Sequence, residues 1–245
     1  MAGHSKWANI RFRKGAQDKK RAKIFTKISR DITIAARENG PDAETNPRLR
    51  LAIDKAYQNN MTKDSVNRAI KKGAGSAQAD ELMHISYEGY GPKGIAFKVD
   101  CLTDNKNRSV SEVRHAFSKH GGSLGKEGSV AYLFDHIGLI ILLNESIQND
   151  EALFELAIEN AAIDLEKEDQ ITVVKTKIED FAHLCLLLKK EGYTIENAEI
   201  IWEAKETETI ATQDQESIMK MIDKLEEIDD VQDVYHNAEL IHHDV

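Results

Sequence analysis

The chain has 245 residues, 41% of them hydrophobic, with 33 Lys and Arg against 42 Asp and Glu and a formal net charge of -9. That length and apolar content suit a globular fold of one large domain or two to three small ones. No apolar run reaches the roughly 18 residues of a membrane span and no apolar leader opens the chain, so a cytoplasmic protein without a membrane partner is expected.

The net charge conceals a segregation. Residues 1–75 carry 18 Lys and Arg against 7 Asp and Glu, a net of +11, while the remainder carries 15 against 35, a net of -20. A basic module for a polyanion attached to an acidic body fits this asymmetry.

In chain order, "GHSKWANIRFRKGAQDKKRAKIFTKISR" (residues 3–30) comes first, with ten Lys or Arg and a single Asp. Over 16–37 the spacing of Ile24, Phe25, Ile28, Ile32 and Ala35 predicts a helix. Lys19, Lys20, Lys23, Lys27, Arg30 and Arg37 gather opposite that stripe. Asn46 and Pro47 read as N-cap and first residue of a second helix, with Leu49, Ile53, Ala56 and Tyr57 as its buried stripe. Thr62 caps a third, which carries Val66, Ala69 and Ile70 inside and is ended by Lys71, Lys72 and Gly73. The stretch "GAGSAQAD" then reads as a linker.

Beyond residue 80, short apolar runs such as "GIAFKVDCL", "GLIILL" and "ITVVKT" alternate with helical stretches, predicting α/β or α+β architecture. Residues 136–202 follow the strand, helix, strand, strand, helix, strand order of a ferredoxin-like unit. The expected organisation is a basic helical domain at 1–78, an α/β domain from 79–134 and 204–245, and a ferredoxin-like α/β domain at 135–203 inserted in it.

Motifs for nucleotide or metal chemistry fail on context. "GYGPKG" at 89–94 matches a dinucleotide glycine pattern but precedes a strand instead of a helix N-terminus, so it reads as a turn. "GGSLGKEGS" at 121–129 has only three residues between Gly121 and Gly125 and lacks a Ser or Thr after Lys126, so it reads as a glycine-rich turn. His115 and His120 are five apart and fall on different helix faces. Cys101 and Cys185 are too few for a disulfide framework or a thiolate zinc site and read as buried thiols. No cofactor or metal is expected, and no acid, base and nucleophile set for catalysis is found. The polar segments "TDNKNR" and "RHAFSKH" are the place an enzymatic site would occupy.

The opening segment carries the functional signal. Lys6, Arg11, Arg13 and Lys14 interleave with Trp7 and Phe12, and the bases continue along one face of the first helix. Cations that track phosphates beside aromatics that stack on bases are what nucleic-acid binding needs. Trp7 reads equally as a core anchor. A mitochondrial transit peptide is the rival reading of the basic stretch, disfavoured because the segment is Lys-rich and runs directly into a capped helical domain.

The stretches "GHSKWANI", "KIFTKI", "NPRLRLAIDKA", "YEGYGPKG", "CLTDNKNRSVSEVRHAFSKHGG" and "GSVAYLF" resemble the YebC family of bacterial regulatory proteins, whose eukaryotic relatives are mitochondrial translational activators. The resemblance implies one helical and two α/β domains around an open cleft, and no enzymatic activity. It also implies a DNA-binding transcriptional regulator or, alternatively, a ribosome-associated factor that binds ribosomal RNA and relieves stalling. Phosphate contact is then expected from Lys6, Arg11, Arg13, Lys14, Lys19, Lys20, Lys23, Lys27, Arg30, Arg48, Arg50, Arg68, Lys71 and Lys72, with the acidic α/β domains free for a protein partner.

Overall fold

The computed structural model describes residues 17–75 and 83–240, and of residues 17–23 the backbone alone. Three helices open it, α1 (Gln17–Asn39), α2 (Pro47–Gln58) and α3 (Lys63–Gly75). Ile28, Ile32, Ala35, Leu49, Ala56, Val66 and Ala69 meet in one buried cluster, so the apolar stripes read from spacing do face one another. Tyr57 departs from that reading and is 47% exposed. Eight residues after Leu49 it stands about 80° further round the helix, on the shoulder of the stripe.

Asn46 organises the turn between α1 and α2. Its Oδ1 accepts from the Leu49 N–H at 3.0 Å, while Nδ2 donates to the carbonyls of Ala35 (2.7 Å) and Gly40 (2.8 Å). One buried side chain therefore caps α2 and holds the end of α1. Asn46→Ala should lower stability by about 2 kcal/mol, since it removes a cap and the donor to the buried Ala35 carbonyl. Urea titration followed by circular dichroism reads that shift.

Gly73 does not end α3, which continues to Gly75. A Cβ at Gly73 would lie 2.2 Å from the Thr33 carbonyl oxygen and 2.9 Å from the Ala36 Cβ. This glycine is therefore the point of close α1–α3 approach. Thr33 sits there too, its hydroxyl 2.7 Å from the Ser29 carbonyl and 3.2 Å from that of Ala69.

The chain continues through β1 (Met83–Tyr90), β2 (Ala96–Thr103), α4 (Lys106–Lys119), β3 (Ser123–Leu124), β4 (Phe134–Leu143), α5 (Asp150–Glu159), β5 (Ala162–Lys167) and β6 (Ile171–Thr176). It closes with α6 (Ile178–Lys190), β7 (Ile195–Ala204), β8 (Glu208–Thr209), α7 (Thr212–Glu226), β9 (Val231–His236) and β10 (Ala238–Glu239). The architecture is α+β with a helical N-terminal region. The described residues fall into two compact units, one of residues 132–206 and one of the rest.

In the larger unit an antiparallel sheet of order β3-β1-β2-β9 buries Phe97, Val99, Cys101 and Val234 against Phe117 of α4 and Ile218, Met221 and Leu225 of α7. Phe97 and Phe117 meet edge to face at 6.0 Å. Residues of "GYGPKG" form the turn joining β1 to β2, and "GGSLGKEGS" contributes β3 and the turns after α4.

The unit 132–206 has sheet order β5-β6-β4-β7 with every pair antiparallel, the order of a ferredoxin-like fold. At Gly138 a Cβ would come within 2.5 Å of the Phe181 ring, which is how α6 reaches the sheet. Among the described residues no helix is long and apolar enough to cross a membrane.

Candidate nucleic-acid interface

The basic residues divide into five groups. Lys6, Arg11, Arg13 and Lys14 lie outside the described residues, and Lys19, Lys20 and Lys23 occupy the first two turns of α1. On the same helix, Lys27 donates from Nζ to the Gln232 carbonyl of β9 at 2.9 Å. Arg30 donates from Nη1 to the Asp229 carbonyl at 2.7 Å and reaches Asp230 Oδ1 and the Leu102 carbonyl at 3.4 Å. These two cations thus fasten α1 to the first α/β sheet.

Arg48 pairs with Glu38 and places Nη2 2.8 Å from His84 Nε2. Desolvation first, and the Arg48 charge second, hold His84 below its ordinary pKa, which suits an acceptor nitrogen. Arg50 donates to the carbonyls of Ala43 (3.0 Å) and Glu44 (2.6 Å), closing the α1–α2 loop. Arg68, Lys71 and Lys72 are solvent-exposed on the last turns of α3, where Arg68 touches only its own helix at Asp64 and Ser65 among the contacts it makes.

A cluster that sequence reasoning missed lies where α1 meets the sheet. Asp230 is 1% exposed and receives Arg108 Nε (3.1 Å), Arg108 Nη2 (2.8 Å) and the Thr103 hydroxyl (2.9 Å). Hydrogen bonds from Arg108 to Asp230, then to Asp104, raise the Arg108 pKa further. Arg30, Asp104, Glu112, His115 and Lys224 share with this pair a groove of about 770 Å³. Its cations are already matched by carboxylates, so "TDNKNR" builds a structural junction. The signal was present in that motif, where Asn105 caps α4 by accepting from the Arg108 N–H at 3.1 Å.

Other groups that could carry chemistry are quiet. No three His, Cys, Asp or Glu converge as a metal site among the described residues. Cys101 and Cys185 are both buried free thiols, and burial pushes the Cys101 thiol up to about 12, far from a reactive thiolate.

A cation-rich helical region fastened through Lys27 and Arg30 to an α/β body defines a class of multidomain α+β proteins with strong charge segregation. The chain belongs to the TACO1/YebC family. Residues 5–76 match the family model described as "TACO1/YebC protein N-terminal domain", and residues 82–238 the one described as "TACO1/YebC second and third domain". It is 49% identical over 239 residues to a "Probable transcriptional regulatory protein" of Legionella pneumophila strain Corby, covering 98% of this chain and 96% of that one. A relative of the same description from Nitrosococcus oceani is 50% identical over 240 residues, with coverage of 98% and 96%. The crystal structure of a conserved hypothetical protein from Aquifex aeolicus superposes with a TM-score of 0.82 at 41% identity, covering 92% of this chain and 93% of the other.

Proposed function

We propose that the chain is a non-enzymatic, cytoplasmic regulator of transcription that binds duplex DNA through its helical region. The observation that carries this reading is the +11 charge of residues 1–75 set against -20 in the remainder. Phosphate is attracted at one end and repelled elsewhere, so the polymer is gripped locally and not wrapped. The Legionella and Nitrosococcus relatives, each named "Probable transcriptional regulatory protein", support the regulatory part of that reading.

Lys27 and Arg30 already have partners within the chain, so we assign the primary phosphate contacts to Lys6, Arg11, Arg13, Lys14, Lys20 and Lys23, with Lys19 and the exposed Arg68, Lys71 and Lys72 as secondary ones. About six phosphates give a log–log salt slope of about -5 by counterion release. Fluorescence anisotropy of a labelled DNA duplex between low and physiological salt measures it. Replacing Lys20 and Lys23 with Ala should make the slope shallower by about 2, while Lys27→Ala should act on stability and leave the slope in place. A slope near zero removes the mechanism, and a tenfold preference for an RNA duplex of equal length overturns DNA as the target.

A further inference from the structure

The unit 132–206 carries two features that nucleic-acid binding does not use. Seven of the nine exposed large hydrophobic side chains among the described residues belong to it. Its charge is also concentrated, because residues 144–170 hold nine Asp and Glu against Lys167 alone.

Both features converge at the outer edge of its sheet. A groove of about 380 Å³ runs between α5 and β5, with Leu153, Phe154 and Leu165 supplying apolar lining and Asp150, Glu151 and Glu155 the rim. Phe154 is 53% exposed, with Ile158 one turn further along α5 and Ile163 at the start of β5 also open to solvent. Lys167, the one base of the stretch, is paired with Asp150. The strand β5 is hydrogen-bonded only to β6, so its other edge presents main-chain N–H and C=O groups to solvent.

We propose that this groove docks an extended, Lys- and Arg-rich segment of a partner protein, which lies along β5 and seats one apolar side chain beside Phe154. An apolar slot calls for an anchor side chain, and the free strand edge calls for an extended backbone. The acidic rim selects a basic occupant and excludes nucleic acid, since the same carboxylates repel phosphate. The site is separate from the DNA-binding reading and stands or falls without it.

The test uses the full chain and a fluorescein-labelled peptide of alternating Lys and Leu, titrated by anisotropy at physiological salt. Peptides of the same length alternating Lys with Gly, and Glu with Leu, serve as comparisons. The Lys–Leu peptide should bind about tenfold more tightly than either comparison, and Phe154→Ser should remove that advantage. Phe154 is half exposed, so the variant should keep its fold, which circular dichroism checks. Glu151→Lys combined with Glu155→Lys gives an independent loss of about tenfold and decides the matter should Phe154→Ser fail to fold. Equal binding of the Lys–Gly peptide, or unchanged affinity in the folded variants, overturns the proposal. So does a peptide-independent dimer in sedimentation that Phe154→Ser dissolves, which would assign the groove to a second copy of the chain.

Discussion

Replacing Glu88 with Ala is expected to lower the unfolding free energy by about 4 kcal/mol, the cost of breaking a buried ion pair from one side. Glu88 on β1 stands directly across from Lys98 on β2, and each is 4% exposed. Lys98 Nζ donates to Glu88 Oε1 at 3.1 Å, while Oε2 accepts the N–H groups of Val130 (2.8 Å) and Ala131 (3.0 Å). Truncation strips a buried ammonium of its carboxylate and leaves two main-chain donors unsatisfied. Glu88→Gln combined with Lys98→Met should recover most of the loss, because the amide oxygen still accepts from the backbone and no buried charge remains. Burial on its own would raise the Glu88 pKa, yet the Val130 N–H and Lys98 hold it below the usual carboxylate range. Its contribution is therefore present above the unfolded-state pKa and lost as pH falls through the folded one. Urea midpoints at neutral and acid pH read both effects, and a loss below about 1 kcal/mol for Glu88→Ala would contradict the assignment.

The features legible in the sequence were those written in local order. Asn46 followed by Pro47 marks a helix start wherever the rest of the chain lies, and Asn46 does cap α2. The strand, helix, strand, strand, helix, strand succession read over 136–202 is likewise present, and the spatial order β5-β6-β4-β7 is what a ferredoxin-like unit makes of it. Contacts between distant segments were not legible. Helical periodicity places Lys27 and Arg30 on one arc with Lys20 and Lys23, and nothing local reveals that Gln232 and Asp229, about 200 residues further on, supply carbonyls to the first pair. Arg108 and Asp230 are separated by 122 residues, so a two-pronged ion pair between them leaves no trace in spacing. Gly73 misleads for a related reason, since a glycine that admits a neighbouring helix looks the same in sequence as one that ends its own.

Asp31→Asn should stabilise the protein at neutral pH by up to about 3 kcal/mol and have almost no effect near pH 4. Asp31 follows Arg30 on α1, one turn after Lys27 and on the side fastened to the sheet, and its pKa is raised from 3.8 to about 6. Burial is the main cause, and the Asp233 carboxylate of β9 adds to it; Lys55 and Arg48 of α2 and Lys27 of α1 oppose it without prevailing. A carboxyl that holds its proton more tightly folded than unfolded contributes most below the unfolded value, and that contribution is lost as pH rises from about 4 to about 6. Glu88 has the opposite sign, so the two carboxylates pull the pH of greatest stability from both sides. Above pH 6 the ionised Asp31 faces Asp233 across the α1–β9 contact, so acidification should tighten the seat of α1 on the sheet and the neutral amide should mimic it at every pH. Urea titrations of the wild type and Asp31→Asn at pH 4, 5, 6 and 7.5 test the claim, with a stability difference that opens through this window as the expected result. A difference independent of pH would show that Asp31 is already ionised in the folded chain at pH 4, and that burial does not govern it.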